Sequence, residues 1–509
     1  MGDMSQGNDT AFLGQPRGLS TLFFTEMWER FSFYGMRAIL MLFMTTAVSK
    51  GGLGFEPEKA GPIYAIYTSM VYLSAVPGGW MADHLLGSRR AVFYGGIVIM
   101  LGHILLALHG IGFFYAGLAC VVVGTGLLKP NISVIVGALY DREDKRRDAG
   151  FSIFYMGINI GAFSAPLACG WLAQSAKFQS ILAEMGWAPE NSWHWGFGAA
   201  AVGMFFGLTQ YIWTSKNLGA AGQLSERALA PEALQNARQT IKVWGSGFFL
   251  LLFLVGLGLF LWPQLATGQN IKTGFSIVLL AVVVTFFGKL LLDESFTKAE
   301  RGRLVTILVL FCGASIFWGI FEQAGSTLTL FADRNTQNVV FGISFPSSYW
   351  QSTNAALLVL FAPVFAGLWQ WLGKRDPSIP TKFGVGILFA GLGFAVLAVG
   401  ASFAVGGARV SPFWLFSVYL LHTLGELCLS PVGLSSMTKL APTRVVSLMM
   451  GVWFLATAVG NFLGGSVSGY YEKFELPTLF ALVATSGVVM SAAMFALVRP
   501  IKRMLNRTE

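Results

Sequence analysis

The sequence predicts an all-α membrane protein of fourteen transmembrane helices in a 6+2+6 plan, with both termini in the cytoplasm. Three observations carry this. Of the 509 residues, 54% are hydrophobic and only 12% charged, about half the charged share of an ordinary soluble domain, and mean hydropathy is +0.63. Apolar runs of about 20 residues, each enough to cross a hydrocarbon core of about 30 Å, recur along almost the whole chain and leave no room for a large soluble domain. Under this plan the cytoplasmic loops hold 24 Lys and Arg and the outer loops 7, the bias expected of short loops in a multispanning protein. The net charge of +9 is thereby a matter of topology, and no nucleic-acid partner is indicated.

Pro, Gly and charge clusters punctuate the runs. Six helices begin near residues 20, 59, 89, 112, 146 and 193 and make a bundle over residues 1–214. The most polar linker, Ser215 to Lys242, opens a segment over 215–300 with two inserted helices, near 241 and 273, that carry almost no interior charge. Helices beginning near 301, 347, 382, 411, 444 and 477 make the second bundle over 301–509. Paired six-helix halves are a common plan for secondary transporters, with the site at the midplane between them. The N-terminal MGDMSQGNDTAFLGQPRG lacks the pattern of a signal peptide, and Gln6 stands where myristoylation wants Ser or Thr. Ser20 to Val48 is therefore expected to be a retained span. Cys120, Cys169, Cys312 and Cys428 all fall in apolar spans, so neither a disulfide framework nor a metal site is indicated.

The first span reads FTEMWERFSFYGMR over Phe24 to Arg37. A charge at bilayer depth costs about 2.5 to 3.5 kcal/mol even on the lenient insertion scale. On a wheel of about 100° per residue with Glu26 at zero, Arg37 falls near 20°, Arg30 near 40°, Tyr34 near 80°, Phe33 near 340° and Glu29 near 300°. The charges share one arc, which must face protein or water. A plain Glu26–Arg30 pair at one helix end leaves Glu29 and Arg37 unexplained, since Arg37 lies about 16 Å further along the axis.

Lys129 in GTGLLKPNIS, Glu322 in IFWGIFEQAGS and Glu426 in LLHTLGELCLSPVG each stand alone in a span. Snorkelling at a helix end suits Glu322 better than the other two. Pairing across the bundle is the expected solution, and a pair made in one state and broken in another is a two-state element. By half, the buried charges sum to +1 (Arg30, Arg37 and Lys129 against Glu26 and Glu29) and −2 (Glu322 and Glu426). Such a cavity suits a solute with a carboxylate at one end and an ammonium at the other, as in an amino acid or a short peptide. His422, four residues before Glu426, is either a relay beside that carboxylate or, as favoured here, a histidine bonded to a backbone carbonyl or a neighbouring hydroxyl. His84, His103, His109 and His194 read as interfacial. In GGWMADHLLGSRR, Asp83 with Arg89 and Arg90 forms a candidate charged latch at the cytoplasmic surface.

That last stretch, G-x-x-x-D-x-x-x-G-x-R-R, resembles the loop signature of the major facilitator superfamily, which names a fold and no substrate. E-x-x-E-R-F at Glu26 to Phe31 followed by F-Y-G, GTGLLKPNIS around Lys129 and FYMGINIGAF from Phe154 to Phe163 resemble signatures of the proton-dependent oligopeptide transporter family. With FEQ at Glu322 and GELCLSPVG around Glu426, the resemblance covers essentially the whole chain. It implies a major facilitator fold and a symporter importing di- and tripeptides with protons by alternating access. The short loop from about Ser402 to Val410, where animal members carry a large extracellular domain, resembles a bacterial member and implies the bacterial cytoplasmic (inner) membrane. The alternative within the fold is a proton-coupled transporter of another small anionic or amino-acid-like solute.

By the same resemblance, Arg30, Arg37 and Lys129 are associated with the peptide carboxylate, and Asn159, Asn354 and Glu426 with its amino end. Arg37 with Glu322 and Lys129 with Glu426 match the family's alternating outer and cytoplasmic gates. Glu26, Glu29 and Glu322, with Arg30 beside the first two, are the candidates for proton coupling. Tyr34, Tyr67, Trp318, Ser430, Trp453 and Phe454 match pocket-lining positions. Phe33 departs from the family's Tyr-Tyr-Gly and removes a hydroxyl, which leaves the cargo open. The implied partners are a small peptide, protons and the lipid bilayer, with a monomer expected. Nothing resembles a nucleotide-phosphate loop, a zinc cluster or a catalytic triad, so no cofactor and no enzymatic reaction are expected.

Overall fold

A computed structural model describes residues 9–141, 143–243, 268–442 and 445–506. The principal helices are α1 (Arg17–Thr45), α2 (Pro57–Leu73), α3 (Ala75–Met81), α4 (Ser88–Leu106), α5 (Ile111–Ala138), α6 (Arg147–Gln174), α7 (Ala176–Glu184) and α8 (Ser192–Thr214), then α9 (Gly268–Leu292), α10 (Lys298–Phe321), α11 (Thr327–Arg334), α12 (Gln351–Leu372), α13 (Ile379–Ser402), α14 (Pro412–Leu440), α15 (Val446–Ser468) and α16 (Leu476–Asn506). Thirteen of the expected spans are met within a few residues of their expected starts. The fourteenth, expected from about 242 to 262, lies almost wholly outside the described residues. Among the described residues nine helices are long and apolar enough to cross a membrane; α1, interrupted by its four internal charges, is not one of them.

The chain divides into two compact units. One takes its described residues from Met1–Gly35, Leu73–Ala165 and Phe197–Gly274, the other from Met36–Tyr72, Pro166–Gly196 and Phe275–Glu509. Helices α1, α6, α8 and α9 therefore contribute one end to each.

In the first unit Leu19, Leu22, Ile99, Leu128, Ile132, Phe154, Met204 and Leu208 meet in one core drawn from α1, α4, α5, α6 and α8. Two pairs of glycines bring α4 and α5 together. A Cβ on Gly95 would stand 2.7 Å from the Gly124 carbonyl oxygen, and one on Gly102 would stand 2.9 Å from that of Gly117. Both helices space their glycines by seven residues in opposite order, which suits antiparallel backbones in van der Waals contact where lipid supplies no hydrophobic drive.

The second predicted helix is broken at Ser74 into α2 and α3, and a wide helical turn over Ala82–Leu86 follows, closed by the Gly87 N–H on the Ala82 carbonyl at 2.9 Å. The expected latch takes another form here. Asp83 is exposed, and Arg89 donates to the carbonyls of Gly219 (2.7 Å) and Ser215 (2.6 Å), while its own N–H bonds to Gly222. A guanidinium satisfied by orphan carbonyls past the end of α8 has no need of a carboxylate. His103 is a second correction: it is fully buried in α4, with neither ring nitrogen hydrogen-bonded.

In the second unit Phe331 and Phe394 each meet Phe480 edge to face in a buried aromatic cluster, with centroids 5.5 and 5.8 Å apart. Helix α10 opens on a capping box in which Thr297 and Glu300 satisfy each other's backbone N–H. Inserted helix α9 meets its neighbours through Phe275–Phe462 and Phe287–Phe311, while Ile277, Val278, Leu280 and Val284 are exposed, as on a lipid-facing surface.

At the cytoplasmic side, Arg146 pairs with Asp144 at 2.8 Å and donates to the Asp9 carbonyl at 3.0 Å, tying down the segment before α1. Hydrogen bonds from the Arg146 side chain and backbone hold the Asp144 carboxyl below its ordinary value of 3.8. A depressed carboxylate stabilises above its unfolded value and loses that contribution as pH falls through the folded one. Asp144→Asn is thus expected to speed amide exchange over residues 9–17 equally at pH 6 and pH 8, and the difference is expected to fade as acid protonates Asp144 in the parent. Hydrogen-exchange mass spectrometry checks this, and identical exchange in parent and variant at pH 7 would refute the tie.

Candidate functional site

In the first unit the charges of α1 gather around one guanidinium. Glu26, Glu29 and Arg30 are 3%, 0% and 3% exposed. Arg30 Nε lies 3.1 Å from Glu26 Oε1 and also bonds to Glu29 Oε2. Glu26 Oε2, Glu29 Oε1 and Arg30 Nη2 are buried without a hydrogen-bond partner. One cation serves two carboxylates through a single nitrogen, and an edge of the guanidinium stays open to a further acceptor. Lys129 of α5 acts electrostatically on Glu26. The Arg30 head lies 5.3 Å from the Phe33 ring centroid and 6.0 Å from that of Tyr34, within cation–π range. Phe33, where the resemblance expects a tyrosine, is therefore one wall of this guanidinium. Asn159 donates back to the Tyr155 carbonyl of its own helix.

The second unit holds the expected Arg37–Glu322 pair. Helix α10 ends at Phe321 and tightens into a turn over Glu322–Gly325, which carries the carboxylate toward α1. Arg37 Nη2 stands 2.5 Å from Glu322 Oε2, and both residues are 6% exposed. Burial excludes snorkelling for Glu322. Arg37 Nε also donates to the Tyr64 hydroxyl at 2.9 Å. A Cβ on Gly325 would collide with that hydroxyl and approach Arg37 Nε at 2.6 Å, so the turn admits only glycine there.

Further along, Asn354 Nδ2 donates to Glu426 Oε2 at 3.1 Å and contacts Thr423 Oγ1 at 3.0 Å. Trp318 and Trp453 meet edge to face at 6.3 Å, and Trp318 Nε1 is buried without an acceptor. Tyr67 is buried, its hydroxyl against Met36 sulfur at 3.9 Å. Ser430 and Phe454 are half-buried on α14 and α15. His422 is clamped between the rings of Phe321 and Phe394 and bonded to the Ala390 backbone, the favoured reading. Lys129 and Glu426 belong to different compact units.

Two partners escaped the sequence reading. Tyr64 lies three residues before Tyr67 on one face of α2, and Thr423 three before Glu426 on α14; helical spacing from a named site residue is the signal that finds both.

Cutting one member of a buried ion pair strands the other charge and costs about 3–5 kcal/mol, whereas replacing both with apolar residues is close to neutral. Arg37→Leu and Glu322→Leu are each expected to lower the detergent melting temperature by more than the double variant does. Additive losses in that thermal cycle would dissolve the coupling.

Residues 89–482 match the family model PTR2, described as the POT family. The peptide transporter YePEPT of Yersinia enterocolitica subsp. palearctica is 40% identical over 513 aligned residues, covering 98% of this chain and 97% of that one. A di-/tripeptide transporter of Lactococcus lactis subsp. lactis is 35% identical over 510, covering 98% of each. Among solved structures, a peptide transporter POT in complex with sulfate superposes with a TM-score of 0.86 at 41% identity, over 97% of this chain and 96% of that one.

Proposed function

The chain belongs to the POT family, and from that premise we propose that it is a symporter that imports di- and tripeptides together with protons across a bacterial cytoplasmic membrane. The bodies that alternate are the helix bundles of residues 1–214 and 301–509, with the segment 215–300 between them, and the working unit is a monomer in the bilayer.

One observation carries the proton-coupled reading: a buried Arg37–Glu322 pair joins α1 to the turn after α10, so the first six helices and the last six are tied by a charge that one proton can cancel. With Glu322 neutral, the attraction to Arg37 falls away and the outer gate is free to open. Glu26 and Glu29 around Arg30 make the second proton-sensitive cluster. The open guanidinium edge of Arg30, with Lys129 and Arg37, receives the peptide carboxylate. Asn159, Asn354 and Glu426 receive the amino end, and Lys129 with Glu426 closes the cytoplasmic gate. Tyr34, Tyr67, Trp318, Ser430, Trp453 and Phe454 line the pocket for side chains. A proton moving down about 100 mV releases about 2.3 kcal/mol, which sustains roughly a fifty-fold peptide gradient.

Phe33 favours a second reading of the cargo, an anionic or amino-acid-like solute. Its ring faces Arg30 where a tyrosine would offer a hydroxyl.

Sealed proteoliposomes holding a pH-sensitive dye, with an inside-negative potential, decide between them. Internal acidification is expected with dialanine and trialanine outside and none with alanine. A response to alanine, or none to any of the three in protein that binds them, would overturn the peptide reading. Glu322→Gln is expected to abolish proton-driven accumulation and retain part of peptide exchange at equal concentrations; loss of both would assign Glu322 a structural part. Phe33→Tyr is expected to tighten dipeptide binding about two- to tenfold, the worth of one added hydrogen bond, as read by calorimetric titration.

A further inference from the structure

A second clasp joins the first six helices to the last six within the same compact unit, by different chemistry. Gln174, the last residue of α6, donates from Nε2 to Ser347 Oγ at 2.9 Å, and its Oε1 accepts the Ser348 N–H at 3.1 Å. Ser347 Oγ in turn donates to Asp333 Oδ1 at 2.8 Å. Ser347 and Ser348 are 4% and 0% exposed. One amide thus binds both a side chain and the backbone at the turn that starts α12, and the chain of donors ends on a carboxylate, which strengthens each link. One helical turn earlier on the same face, Gly170 lets the Ser348 side chain lie against α6; a Cβ there would overlap Ser348 Oγ. A glycine seat followed by an amide hook is a fitted contact, and just after the turn it grips, Gln351 at the start of α12 donates from Nε2 to Thr329 Oγ1 of α11.

By the loop charges, the ends of α6 and α11 and the start of α12 lie on the outer side. Helix α11 follows directly on the Glu322–Gly325 turn and carries Asp333 near its end, so the clasp and the Arg37–Glu322 pair hold opposite ends of one short element. We propose that Gln174 is a positioning residue of outer closure: its amide, through Ser347, Ser348 and Asp333, holds α6 to the α11–α12 corner and sets how far the outer side opens once the Arg37–Glu322 pair lets go. This deepens the transport reading and rests on it for its purpose, but the contact is tested without substrate.

Ser326, buried at the start of α11, serves as reporter. The Ser326→Cys protein is purified in detergent, and the rate of its labelling by a polar thiol reagent is measured over the background of the four native cysteines. Thr306→Cys, buried on α10 toward its other end, is the control. Adding Gln174→Ala is expected to speed labelling at 326 about tenfold, the worth of two lost hydrogen bonds, and to leave position 306 unchanged. Ser347→Ala, which keeps the backbone contact, is expected to give a smaller increase of the same selectivity and carries the test should the first variant not fold. Unchanged labelling at 326, or equal acceleration at both positions, would overturn the proposal. A parent that labels as expected yet moves no protons with peptides would sink the transport reading and leave the clasp standing.

Discussion

A charge inside a bilayer must have a partner, and the arrangement of this chain follows from how it meets that demand. Most of the sequence is apolar enough to be indifferent to its neighbours, since lipid solvates leucine as well as another helix does. Charges are different. With Arg37 on α1 and Glu322 at the foot of α10, separation in an apolar medium would leave two bare ions at several kcal/mol each. The pair therefore fixes which helix ends meet. It also explains local detail: α10 stops at Phe321 because the carboxylate is presented from a tighter turn, and that turn needs Gly325 because Tyr64 and Arg37 occupy the space a side chain would take.

The apolar scaffold supplies what charges cannot, namely close and repeatable packing. The facing glycines of α4 and α5 set a backbone contact that only missing side chains allow. The same device returns in the second unit, where a Cβ on Gly386 of α13 would meet the Gly425 carbonyl oxygen at 2.8 Å, one residue before Glu426. Packing of this kind fixes the axial position of a helix, and a fixed axial position is what lets a single carboxylate such as Glu426 find Asn354 rather than lipid.

Helix existence was legible because membrane thickness dictates run length, and no tertiary contact is needed to see it. The α1 cluster, and the need for Glu322 to find a partner across the bundle, were legible because intramembrane charges are few and each demands an explanation; that Arg37 is the partner came from the family resemblance alone. What was not legible depends on contacts the code for a span does not contain. The break at Ser74 arises where its hydroxyl bonds to the Val122 carbonyl of α5. Arg89 turned to backbone carbonyls of a loop 126 to 130 residues away, a distance at which charge pattern is silent. Short α7 and α11 fall between runs, too brief to announce a span. His103 looked interfacial because it lies near a helix end, but it sits on the inward face of that end, while Leu101 and Ile104 beside it are exposed.

The two charged clusters differ in arithmetic, and the difference bears on coupling. Arg37 and Glu322 form a neutral pair, so one proton converts it to a single free cation. Around Arg30, two carboxylates share one guanidinium, and only with Lys129 acting on Glu26 does that set reach neutrality. A peptide carboxylate arriving at the open edge of Arg30 would make the set a net anion in a medium that penalises it. A proton taken up by Glu26 or Glu29 restores neutrality at that moment. Coupling on the proposed reading is then a consequence of electroneutrality in low dielectric: the carboxylate and the proton each lower the cost of the other's entry, and by linkage the effect is reciprocal. Without Glu29 the set of Arg30, Lys129 and Glu26 would carry +1, and an arriving carboxylate would neutralise it with no need of a proton. On the proposed reading, the second carboxylate, Glu29, with one oxygen buried and unpartnered, is the group that makes the proton the companion of the substrate.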